Sequence, residues 1–153
     1  MFFLHANIVC TDFDRSLDFY TRVMGGSTLG VAEGDGGIDL SLALGATGPS
    51  GYRAAMIHWD NGRHGPYLDL LEWREKGEHP KRNGKDVGLG RLAFRVDDLD
   101  STVAMLEAEG IQLNSPPGFD TVGRWPMKFA FFHDPDGVLL EIIQLMPRGT
   151  TEV

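Results

Sequence analysis

Short apolar runs, separated by glycine-rich turns, divide this chain into two similar halves. His5 to Thr11 (HANIVCT) reads as a strand. The helix expected after it carries Leu17, Tyr20, Val23 and Met24 on one stripe, with Asp14 as its N-cap and Gly25 as its stop. Three strands should follow, around Ile38 to Leu44, Arg53 to Trp59 and Tyr67 to Trp73. The order then repeats. A strand over Arg91 to Val96 leads into a helix of roughly Ser101 to Glu109, capped by Asp100 and stopped by Gly110. Further strands fall near Gln112 to Asn114, Lys128 to His133 and Val138 to Leu145, the last two joined by the tight turn DPDG, 134–137. The reading is one α+β domain over 1–153, built from two βαβββ modules. Module one covers about 4–76 and module two about 89–146, with a polar, Gly-rich linker, about 77–88, between them.

The repeat has a register. The segment starting at His5 lies on the one starting at Arg91, an offset of 91 − 5 = 86, which puts Asp12 on Asp98, Asp14 on Asp100, Leu17 on Val103 and Tyr20 on Leu106. YLDLLEW lies on LLEIIQL with Asp69 on Glu141, an offset of 141 − 69 = 72. Each half thus opens on a polar residue (His5, Arg91) and closes on an apolar strand with one central carboxylate (Asp69, Glu141). By strand parity His5, Asn7 and Val9 share a face, as do Arg91, Ala93 and Arg95, Tyr67, Asp69 and Leu71, and Leu139, Glu141 and Ile143. A carboxylate inside an apolar run is costly unless it is paired or binds a metal. The plain alternative is a solvent-facing side of a half-buried sheet. Glu72, on the face opposite Asp69, is a rim residue on this reading.

Arg91 breaks the symmetry, because a histidine would match His5. A guanidinium is permanently charged and offers a metal no lone pair. It suits a carboxylate, and removing it from a buried pair would cost roughly 3–5 kcal/mol. The net charge of −8, with no Lys/Arg-rich run, makes nucleic acid and anionic membrane surfaces improbable partners. No apolar stretch approaches the roughly 18 residues of a membrane span, and the short apolar start lacks the basic flank of a signal peptide. The single cysteine, Cys10, fits a reducing cytoplasm and reads as a small buried hydrophobe.

The repeat, the opening histidine, FDRSLDFYTRVMG and FFHDPDGVLLE together resemble the vicinal oxygen chelate superfamily, also called the glyoxalase/bleomycin resistance/dioxygenase group, over about His5 to Leu145. The resemblance implies a curved mixed sheet around a central cup. There a divalent metal is held from the positions of His5, Asp69, Arg91 and Glu141. Two states of such a site are open. In one, Arg91 replaces the metal, no cofactor is used, and Arg91, Glu141, Asp69 and His5 carry the chemistry. In the other, His5, Asp69 and Glu141 bind one Ni, Zn, Mn or Fe ion. The family's ring-cleaving dioxygenases need a second histidine at position 91 and are disfavoured. Isomerase- or lyase-type proton transfer next to a carbonyl is expected on a small carbonyl-containing metabolite. The alternative is a metal-free protein that sequesters an aromatic natural product. Asn7, Tyr67, Trp125, Met127 and Phe129 are the candidate ligand contacts, although a stripe such as Trp125, Met127, Phe129 and Phe131 is more often core. The family resemblance also implies a homodimer.

Overall fold

The computed structural model describes residues 1–35, 42–45, 47–48, 50–59, 65–79 and 85–151. Its elements run β1 (His5–Val9), α1 (Phe13–Asp18) continuing as a π-helical turn (Phe19–Val23), β2 (Ser27–Gly34), β3 (Tyr52–His58) and β4 (Tyr67–Trp73). They go on as β5 (Leu92–Arg95), α2 (Leu99–Ala108), β6 (Gly118–Val122), β7 (Trp125–His133) and β8 (Leu139–Leu145). The chain forms two compact units, Met1–Pro80 and Lys81–Val153. Each holds one four-stranded sheet, in the order β1-β4-β3-β2 or β5-β8-β7-β6. In both, the first strand runs parallel to the last and the remaining pairs are antiparallel. This is the expected α+β pattern of two βαβββ modules. No helix among the described residues is long and apolar enough to cross a membrane.

Each helix covers one face of its own sheet. In the first unit, Phe13, Phe19, Tyr20 and Val23 are buried along with Ile8, Ala55, Ile57, Leu68 and Leu70. In the second, Leu99, Val103 and Leu106 are buried along with Ala130, Phe132, Leu140 and Ile142. Burying one such side chain stabilises by roughly 1.5–3 kcal/mol, so these two layers fix which face of each sheet remains open. Leu17 and Met24 of the expected stripe are only half-buried. At Met24 the phase is shifted by the π-helical turn, in which the Met24 N–H reaches the Phe19 carbonyl at 2.9 Å.

Both helix starts lie two residues earlier than the sequence suggested. The caps are Asp12 and Asp98, each extended, accepting the N–H of Arg15 at 3.0 Å and of Ser101 at 2.9 Å. Asp14 and Asp100 sit inside the first turn and reach down to the sheet instead, to Arg53 and Lys128, both at 3.0 Å. The second strand of each module also differs. Of the strand expected around Ile38 to Leu44, residues 38–41 lie outside the described residues, and Leu42 and Ala43 form a helical turn closed by Gly45 N–H to the Leu42 carbonyl. The strand is β2, earlier in the chain. Gln112 to Asn114 is not a strand either, and β6 takes that place. β2 and β6 are edge strands, mostly exposed and carrying Gly30 or Gly118, so pairing with β3 and β7 defines them and no alternating pattern announces them.

Candidate functional site

In the second unit the site is built on β8, which runs between β5 and β7. Glu141 stands opposite Ala93 on one side and Phe131 on the other. Its neighbours Leu140 and Ile142 turn to the helix side and are fully buried. Strand alternation therefore sends the Glu141 carboxylate to the other face, yet it remains 5% exposed. Arg91, directly before β5, compensates it: Nε donates to Oε2 at 2.5 Å. This is the ion pair the charge pattern predicts. Among the described residues it is the one hydrogen bond Arg91 makes. Its guanidinium carbon lies 5.6 Å from the centre of the Phe131 ring, and the side chain is 52% exposed. Ala93 is too small to cover the carboxylate. Arg95, one alternation further along the same face, stands opposite Ile143 and is exposed.

The stripe on β7 is not core. Pro126, Ala130 and Phe132 are the buried set, whereas Met127, Phe129 and Phe131 are half-buried and Trp125 is exposed, all on the Glu141 face. Phe129 and Phe131 meet at 5.4 Å with their rings tilted by 60°. Gly118 makes room for this: a Cβ there would stand 2.6 Å from the Phe129 ring, so Phe129 lies against bare backbone. At the far end of the stripe, Arg124 and Arg148 hold their guanidinium carbons 5.8 and 5.3 Å from the Trp125 ring. Arg124 is the direct chain neighbour of Trp125. Nothing local marks Arg148, which the chain beyond β8 brings back.

The counterpart positions of the repeat lie in the first unit. Asn7 stands opposite Asp69, and its side-chain amide donates to both the Asp69 carbonyl and Oδ2 at 3.0 Å. Asn7 is thus the partner of Asp69, a link no spacing rule revealed. His5 stands opposite Tyr67 and is exposed, while Tyr67 and Asp69 are half-buried. Glu72 lies on the other face, opposite Arg53, in an ion pair with Lys76 at 2.9 Å. Its counterpart in the repeat, Gln144, accepts the Leu99 N–H at 3.0 Å and fastens the start of α2 to β8. Of the other histidines, His64 lies outside the described residues.

The donor set does not suit a divalent ion at Glu141. One carboxylate oxygen already receives a guanidinium that cannot be deprotonated and has no lone pair to give. His5 and Asp69 have the donor chemistry for a metal, and they belong to the first unit.

A family model described as the Glyoxalase/Bleomycin resistance protein/Dioxygenase superfamily matches residues 3–142. The chain belongs to this superfamily. The protein YaeR of Escherichia coli, described as uncharacterized, is 30% identical over 146 residues, covering 92% of this chain and 93% of its own. A probable lactoylglutathione lyase of Vibrio cholerae is 28% identical over 141 residues, covering 92% and 88%. A glyoxalase family protein from Bacillus cereus has the same fold, with a TM-score of 0.79 at 19% identity over 96% of this chain and 95% of its own. Membership of the glyoxalase superfamily accounts for the two-fold layout in which His5 answers Arg91 and Asp69 answers Glu141. Within the chain's own repeat, Arg91 stands at the position that answers His5.

Proposed function

We propose that this protein is a glyoxalase-like enzyme that moves a proton on a carbon next to a carbonyl, with the Arg91 guanidinium in the place of a metal. The observation that carries the reading is the Arg91–Glu141 pair, set in an apolar, aromatic face with the spare N–H groups of Arg91 unused by the described residues. Glu141 takes the proton from the carbon. Electron density moves onto the carbonyl oxygen, and the Arg91 N–H groups stabilise the enolate that forms. In an α-hydroxy carbonyl substrate the hydroxyl proton of the first carbon passes to the enolate oxygen, the same carboxylate returns its proton to the former carbonyl carbon, and the first carbon becomes the new carbonyl. The substrate is isomerised, and both residues end in their starting states. Asp69, held by the Asn7 amide in the first unit, and His5 are given no step.

The name of the Vibrio cholerae relative supports a first probe, the hemithioacetal isomer of lactoylglutathione. The test is thioester formation and solvent-deuterium incorporation at the migrating position, in the unaltered protein and in Glu141→Gln. The variant should be slower by about 10²-fold or more. An equal rate in Glu141→Gln would remove Glu141 from the chemistry. The apolar ring pair of Phe129 and Phe131 also suits a protein that only sequesters a ligand. That reading predicts binding without exchange in both proteins.

A further inference from the structure

We infer that Arg95 sets the specificity of the second unit by anchoring a carboxylate on a substrate whose α-hydroxy carbonyl end lies at Arg91 and Glu141. The inference rests on the proton-transfer reading and adds the substrate class: a short α-hydroxy carbonyl compound that is also an acid.

The register of β5 places the two arginines. Arg91, Ala93 and Arg95 alternate on one side of the chain. Ala93 stands opposite Glu141, and Arg95 stands opposite Ile143. Arg91 leans onto the Glu141 carboxylate and commits its Nε there. Arg95 commits nothing. Among the described residues it makes no hydrogen bond and no ion pair, and Asp97, two residues further on, does not reach it. The chain has 22 Asp and Glu residues and a net charge of −8. A cation left without an acid in such a chain, on the face that holds Glu141, is suited to an anion from solution. Its planar fork takes both oxygens of a carboxylate.

The neighbours of Arg95 sharpen the choice. Ile143 has no polar group with which to compete for the guanidinium or to hold a neutral hydroxymethyl end. Ala93 puts only a methyl group between the two arginines, so the edge of the face is open from one to the other. From the level of Glu141 to that of Arg95 is two residues of strand, about 7 Å at the usual rise. With the reach of an arginine side chain at one end, that distance fits a chain of roughly three to six carbons.

Two pairs of probes test this, each differing only in a carboxylate for a hydroxymethyl group: hydroxypyruvate with dihydroxyacetone, and fructuronate with fructose. Calorimetric titration of the full-length protein should show at least one acid bound about tenfold or more tightly than its neutral partner. Arg95→Ala should remove most of that preference, and Arg95→Lys should restore part of it. The urea midpoint of Arg95→Ala should match the parent, since the side chain has no partner to lose, and this shows that the variant is folded. If the unaltered protein prefers the acid in neither pair, or if Arg95→Ala keeps the preference, the anchor is wrong. These titrations need no turnover. A fully active Glu141→Gln would therefore overturn the proton-transfer reading while the Arg95-dependent preference stood, and the two failures can be told apart.

Discussion

Arg91 is 52% exposed while its partner Glu141 is 7% exposed at the side chain, and this asymmetry sets what substitutions should do. A fully buried pair would lose roughly 3–5 kcal/mol on losing its cation. Here water can approach from the Arg91 side, so Arg91→Ala should cost about 1–3 kcal/mol, read from the urea midpoint at neutral pH. Arg91→Lys should recover much of that stability but little activity, since an ammonium lacks the planar fork that serves a carboxylate and an enolate together. A loss below about 0.5 kcal/mol in Arg91→Ala would mean that Glu141 does not depend on the pair. At this scale the sequence was informative where the repeat acted as an internal alignment. Asp69 and Glu141 stood out as carboxylates in apolar runs, and Arg91 as a cation in a histidine's place. Asn7 as the partner of Asp69, and Arg148 as a neighbour of Trp125, were not legible, because each depends on which strands lie side by side.

The elements were legible where burial imposes a pattern and blurred where it does not. β1, β3, β4, β7 and β8 carry apolar runs long enough to read. β2 and β6 are exposed edges, and glycine breaks their alternation. The helix caps were misplaced because two aspartates stand at each start, and only the extended one can accept the third N–H onward. The second cap carries a pH prediction. The Ser101 backbone N–H, its hydrogen bond foremost, holds the Asp98 carboxyl below its ordinary value. A carboxyl lowered in the folded state adds stability that is present above its unfolded value, near pH 3.8, and is lost as pH falls through the folded value. Asparagine caps as well as aspartate but does not titrate. Asp98→Asn should therefore match the parent at neutral pH and show a shallower loss of urea resistance below about pH 4. Parallel acid limbs in the two proteins would show that the cap does not contribute this dependence.

For the whole molecule, the family layout and the local chemistry point in different directions, and both are read from the same positions. The chain belongs to the superfamily and folds as two βαβββ modules, and its own repeat gives each module one polar opening position and one carboxylate. This chain fills the second opening position with a permanent cation and sets it on the carboxylate. The overall fold was legible because the repeat covers almost the whole chain. The substrate was not, because the side chains that share an open face depend on which strands lie side by side. Arg91 is proposed to take the place a metal would occupy. The direct test is the metal content of the catalytically active purified protein, by mass-spectrometric elemental analysis after dialysis against a weak chelator. Fewer than about 0.1 equivalents of Ni, Zn, Mn or Fe per chain are expected, with uptake appearing only in Arg91→His. About one equivalent retained by the unaltered protein would contradict it and move the chemistry to a metal held by His5, Asp69 and Glu141.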